Sequence, residues 1–431
     1  MRWNRLVPGS FAILAGCAGI AGSGTGEPPC AIGVASGPEL AAALARPGCG
    51  VRIVLADGSY QGDFVLRNPC PVDLPITVQA EHPLAAVLQS RLVVTGNQTT
   101  IRGLRFEGPD AGVTLGGTGN RLIGNVFTGW RGVAVRLTAG TGAEIAYNEF
   151  AEPASWSLGG DQRQGISSNE PNGGLHLNAW VHHDHFHDFP AKPQASAYAS
   201  GQSDALEICG GGQPASDRRS GWTIENNLIE RHYGGYGIVD IKCDGTVARN
   251  NTILASPGGR IDLRQGSYSV LAGNWIEDAG GSVIHGGHHQ VLGNHLAELN
   301  DGGYPDLLVG LILTAGTVPW DYTGLPRLPD GTPAHQAAFG VVVSGNTAPS
   351  LEIGPQRRST FSYPVHGTVI EQQTGPIHYG LAQATTVAAR ASRPIPLAIR
   401  LDPESVGLNA APGLPADNPT RACSSGTDRG P

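Results

Sequence analysis

Lys242 is one of only two lysines in a chain of 431 residues that otherwise meets its need for positive charge with 26 arginines; the other is Lys192. It stands in the apolar run Gly-Ile-Val-Asp-Ile-Lys-Cys-Asp, Gly237 to Asp244. An arginine keeps its proton at essentially any pH, whereas a desolvated lysine can lose it and act as a base. Twenty-two residues on is Arg264, in Arg-Ile-Asp-Leu-Arg, and 21 residues further is His285, in Ser-Val-Ile-His. A base, a charge stabiliser and a proton donor are what β-elimination on a uronic acid polymer requires. The C5 proton beside a carboxylate is removed, charge builds on that carboxylate, and O4 of the leaving sugar takes a proton. The plain alternative is a solvated lysine on a strand face and a histidine satisfied within the fold.

These three residues meet only if the chain coils with a matching period. A phrase of Asn, any residue, then Ile or Phe recurs at Asn125, Asn148, Asn227, Asn251 and Asn274, with weaker copies at Asn294 and Asn346. Intervals of 23 residues from Asn125, then 24, 23 and 20 from Asn227, signal a stacked solenoid. Strand-sized runs between glycines (Gly119 to Phe127, Gly221 to Ile229, Gly245 to Ile253) favour a parallel β-helix over helical repeats. The asparagines are expected to stack at a turn and are assigned to structure. Residues one period apart then lie about 4.8 Å apart in columns. Alternation places Lys242 with Asp240 and Arg264 with Asp262, opposite a core of Ile238, Ile241, Leu263 and Ile284. One turn earlier, Asp204 to Cys209 fills the equivalent strand, which brings Cys209 close to Cys243 for a disulfide.

The expected class is all-β: a single-domain, right-handed parallel β-helix with a capping helix near Glu39 to Leu44. Gly 63, Pro 32 and 15% charged residues suit many tight turns and few long helices. The expected organisation is a signal at 1–17, a linker at 18–35, the coil at 36–375 and an Ala/Pro-rich extension at 376–431. Two interruptions, a polar one between Asn148 and Asn227 holding Trp156, the Asp161 to Arg163 turn and Pro190 to Gly201, and one rich in Pro and Gly at about Thr314 to His335, read as loops over one binding face. Arg2 and Arg5, the apolar stretch Leu6 to Ala15, and Leu-Ala-Gly-Cys ending at Cys17 have the form of a lipoprotein signal. The chain is therefore expected to be exported and anchored by lipid on Cys17 to the outer membrane, or else periplasmic or secreted. Six further cysteines, an even number, fit disulfides in such a compartment, and their spacing matches no zinc pattern. A net charge of −8 with no basic run excludes general attraction to nucleic acid.

The site residues resemble polysaccharide lyase family 6, which includes alginate lyases and chondroitinase B. The resemblance runs from about Ser36 to Gly354. It is clearest in Ile224 to Glu230, the strand ending at Lys242, Leu263 to Gly266 and His289 to Asn294. It implies eliminative cleavage of an acidic polysaccharide, with Lys242 as the base and Arg264 as the catalytic arginine. His285, Arg260, Gln265, Asp240, Glu207, Asp204 and His289 complete the expected substrate-binding set. Three departures matter. The family's Glu-x-Glu calcium ligands fall on Gly235 and Gly237, an arginine of the preceding rung falls on Glu207, and the histidine after the catalytic arginine is Gln265. The expectation is a site without calcium or other cofactor, the alternative being a rearranged cage of Asp204, Glu207 and Asp240. Asp240 is adverse if it touches Lys242, since it would raise the lysine's pKa.

Alginate is the first substrate expected, with dermatan or chondroitin sulfate or a glucuronic acid exopolysaccharide open. A β-helix hydrolase using Asp204/Glu207 or Asp240/Asp262 is a second reading, and a non-catalytic glycan-binding lipoprotein a third.

Overall fold

The computed structural model describes residues 30–156, 162–168, 174–191, 203–209, 219–303, 307–319, 334–355, 362–388 and 395–412. The signal with Cys17, Lys192, Asp161, parts of the first interruption, most of the second and the end of the extension lie outside the described residues. The chain winds as a parallel β-helix. Among the described residues, one sheet of 14 strands and another of 21 run along the coil, with a small two-stranded sheet beside them. A representative turn enters the first sheet at Val247–Arg249, bends at Asn250 and Asn251, and follows the second sheet through Thr252–Leu263. The runs read as single strands between glycines thus each contain a corner, and the asparagine sits on it.

Inward positions stack in register. Phe106, Phe127, Phe150 and Phe186 lie face to face at centroid spacings of 4.8, 4.8 and 4.6 Å, and Ile229, Ile253 and Ile276 continue the same column. Each aromatic ring buries its faces against its neighbours, so the core is one continuous stack with little area left to water. The helix Gly37–Ala45 starts at Ser36, whose side chain accepts the Glu39 N–H, and buries Leu40 and Leu44 against the first turn.

At the corner, where one asparagine follows another, its Oδ1 accepts both the backbone N–H and the side-chain amide of the rung before. Asn125 donates to Asn148 at 2.9 and 3.0 Å, and Asn227 to Asn251 at 3.1 and 2.9 Å. The ladder does not break between Asn148 and Asn227. Asp184 fills that rung, accepting from Asn148 at 2.7 and 2.9 Å and donating its own N–H to Asn227. Its Oδ2 stands where the other rungs carry an amide nitrogen and has no hydrogen-bond partner. Full burial pushes the Asp184 carboxyl up to about 8, against the opposing bonds from Asn148.

Strand pairing continues beyond Gly375 to Thr386–Ala388, one turn further than the expected boundary. The segment 395–412 then runs back along the coil over the asparagine corners. Ile395 lies over Gly345, Pro396 over Gly293 and Leu397 over Gly273. Thr252 Oγ1 donates to the Ile399 carbonyl, Arg400 pairs with Glu277 at 3.1 Å, and Gly407 donates to the His183 carbonyl. Gly293 is required twice: its φ is 59°, and a Cβ there would overlap the Pro396 carbonyl oxygen. Gly293→Ala is expected to free the strap and speed proteolytic cleavage within 395–412; unchanged protection would show that Gly293 does not seat it.

Candidate active site

The site lies on the second sheet, where Ile208, Ile241, Leu263 and Ile284 stand in register and are fully buried. One residue further along each strand come Cys209, Lys242, Arg264 and His285. They are held by Lys242 N–H to the Ile208 carbonyl, Arg264 N–H to Ile241 and His285 N–H to Leu263. The column expected from the period is therefore present. The carboxylates form a second column, with Glu207, Asp240 and Asp262 paired rung to rung two residues before Cys209, Lys242 and Arg264. Arg260, two residues before Asp262, flanks that column on its other side. Like charges would repel at rung spacing, and the cations of the two middle strands, Lys242, Arg260 and Arg264, offset that repulsion.

The contacts follow that pattern. Lys242 Nζ makes a short contact with Glu207 Oε1 and lies 3.1 Å from Asp240 Oδ2. Arg264 Nη1 meets the same Asp240 oxygen at 3.0 Å. Arg260 Nη2 is 3.1 Å from Asp262, with Nη1 donating to the Leu308 carbonyl. Gln164 Nε2 bridges Asp204 at 2.7 Å and Glu207 at 2.6 Å. Tyr236 presents its ring to both guanidiniums, 5.2 Å from Arg260 and 5.9 Å from Arg264. Within this group the Arg264 side chain is 32% exposed while that of Lys242 is 9% exposed, so the arginine is the more accessible of the two.

These contacts reverse one expectation. Burial alone would lower the Lys242 pKa, but the Asp240 and Glu207 carboxylates outweigh it and hold the pKa above the ordinary lysine value. In the free protein Lys242 is an ammonium, and the adverse contact with Asp240 is realised. Asp240 is pushed up by burial and drawn down further by Lys242 and Arg264, ending below the usual carboxylate range. Asp204 goes the other way, raised to about 8 by burial and by the charges of Glu207 and Asp240.

Several expected residues are placed differently. His289 is fully buried; its Nδ1 accepts from Ser269 N–H and its Nε2 donates to the His285 carbonyl. Burial lowers its pKa to about 4, so it is a neutral turn residue and does not reach a substrate. His285 holds its place in the column but is 3% exposed and packs against the His335 ring at 5.0 Å. Arg260 is covered completely and serves Asp262. Gln265 remains partly exposed beside Arg264. Tyr236 and Gln164 were not anticipated. Tyr236 carried a signal, since it lies between Gly235 and Gly237 at the departing motif. Gln164, 43 residues before Glu207, carried none.

Calcium does not fit these residues. Gly235 and Gly237 supply no side-chain oxygen, and Glu207 and Asp240 already enclose the Lys242 ammonium where a cation would need them. Among the described residues, no three metal-ligating side chains converge. Behind Lys242, the Cys209–Cys243 disulfide forms as expected, with Cα atoms 5.6 Å apart, and Cys49–Cys70 ties the first turns.

The fold is shared with solved polysaccharide lyases. A PL6 alginate lyase in complex with a trisaccharide is 17% identical and superposes with a TM-score of 0.64, covering 85% of this chain and 86% of that one. A mannuronic acid specific polysaccharide family 6 lyase from human gut microbiota is 19% identical with a TM-score of 0.61, covering 81% and 82%. A PL6 family polysaccharide lyase from Pseudopedobacter saltans is 16% identical with a TM-score of 0.59, covering 88% and 99%. No protein-family model matches the chain, and no curated protein matches it.

Proposed function

We propose that the protein is a polysaccharide lyase that cleaves a uronic acid polymer, alginate first, by β-elimination. The observation that carries this reading is the placing of Lys242 and Arg264 at one register on adjacent rungs, joined through Asp240, with the arginine the more accessible of the two. The fold is that of proteins described as alginate lyases. The Arg264 guanidinium takes the substrate carboxylate and neutralises the charge that builds on it. The Lys242 ammonium first loses its proton to solvent, more readily as pH rises. The free amine then removes the C5 proton, the C4=C5 bond forms as the C4–O4 bond breaks, and O4 leaves with a proton returned from Nζ. The Arg264 guanidinium supplies the neutralising charge, so the site is proposed to work without calcium. The signal at 1–17 supports an exported, lipid-anchored protein.

The test is a panel of alginate, chondroitin and dermatan sulfates and a glucuronan, followed by near-ultraviolet absorbance with and without chelator. The expected result is an absorbing unsaturated uronate from alginate, formed equally in chelator. Loss of activity on chelation would overturn the metal-free mechanism. One observation favours a hydrolase instead: Asp204 is raised to about 8 beside an ionised Asp240, the split that an acid and base pair needs. New reducing ends without absorbance would establish it. Binding without cleavage, unchanged in Lys242→Ala, would establish a glycan-binding role.

A further inference from the structure

The corner between the second sheet and the first is occupied, rung after rung, by a residue in the left-handed conformation. Gly245, Tyr268, His288, Gly340 and Gly367 have φ of 70°, 61°, 56°, 57° and 63°. They are equivalent positions, each donating its N–H to the following rung at 2.8 to 3.2 Å. Glycine takes this conformation at no steric cost, while an L side chain costs about 1–2 kcal/mol. Glycine fills three of these five rungs, and the two that follow Arg264 and His285 carry aromatic rings instead; elsewhere in the column Gln98, Asn178 and Ala384 also take this conformation, without such a ring. The Tyr268 and His288 side chains are built into one surface. The Tyr268 ring lies flat on the His288 ring, with centroids 5.0 Å apart and planes within 14°, and Phe339 supports His288 edge-on at 5.0 Å. Gly340 leaves that stack its room, since a Cβ there would stand 2.7 Å from His288 Nδ1. Yet the outer ring is left bare, with Tyr268 55% exposed. It stands four residues beyond Arg264, in the turn that the same strand enters.

We infer that Tyr268, stacked on His288, is a sugar-binding platform that takes the apolar face of a uronan pyranose flanking the residue held by Arg264. The inference rests on the lyase reading for its ligand. An exposed, pre-stacked ring offers a pyranose its C–H face contacts with little ordering cost, and it offsets the backbone strain at 268 and 288.

The test uses Tyr268→Asn, which tolerates the left-handed conformation while removing the ring, and Tyr268→Phe, which keeps the ring. With alginate as substrate, Tyr268→Asn is expected to raise KM about tenfold with kcat within about twofold and Tm not lowered, and Tyr268→Phe to match the parent. An unchanged KM in Tyr268→Asn overturns the platform. If the parent yields no unsaturated product, the lyase reading fails separately, and titration with alginate oligosaccharides decides the platform. A comparable loss of affinity in Tyr268→Asn upholds it; equal affinity, or no binding by the parent, overturns it.

Discussion

Lys242→Arg is expected to lose about 10³-fold in kcat on a uronan while keeping its fold and its affinity for substrate. Arginine preserves the charge that Glu207 and Asp240 require but does not release a proton, so this substitution separates the base role from electrostatic neutralisation. Lys242→Ala is the poorer test, because it leaves two buried carboxylates facing each other and costs about 3–5 kcal/mol of stability besides. Retention of most activity in Lys242→Arg would mean that the ammonium acts only as a fixed cation. The pH profile gives an independent check. Because Asp240 and Glu207 raise the Lys242 pKa, the free amine grows more abundant as pH rises, and kcat/KM should climb through the alkaline range. Glu207→Gln removes one of those two anions, so burial counts for more and the rising limb should move to lower pH, with higher activity near neutrality. A profile that stays in place in Glu207→Gln would remove Lys242 from the rate equation.

The positions of these groups were legible in the sequence because a β-helix converts period into proximity. Once the Asn repeat set a period near 22, Lys242, Arg264 and His285 had to share a column, and Cys209 had to approach Cys243. Their ionisation was less legible. It depends on which carboxylate oxygens close around Nζ, and Glu207 reaches Lys242 across 35 residues that include an interruption. The same interruption hid Gln164. His289 was misplaced for a different reason: its position in a turn was apparent, but whether a turn histidine faces solvent or caps backbone groups depends on the rung beneath. The C-terminal strap was illegible because it follows no period; only the glycines at 273, 293 and 345 record its path. Asp184 was passed over because the repeat was framed on asparagine, although Asp184-His185-Phe186 has the same shape as Asn148-Glu149-Phe150.

Asp184→Asn is expected to stabilise the protein at neutral and alkaline pH by several kcal/mol. The folded-state pKa of Asp184, about 8, lies above its unfolded value near 3.8. A carboxyl raised in this way is most favourable to folding when protonated in both states, below about pH 4. As pH rises past that point the unfolded chain ionises while the folded one does not, and stability falls by about 1.4 kcal/mol per pH unit until the folded pKa is reached. Asparagine carries no such dependence, and its Nδ2 would fill the place of the partnerless Oδ2, as in the rungs above and below. The gap in Tm between Asp184→Asn and the parent should therefore be small at pH 4 and widen steadily to pH 8. A gap independent of pH would mean that Asp184 is ionised within the ladder, and that the asparagine corner tolerates a buried charge.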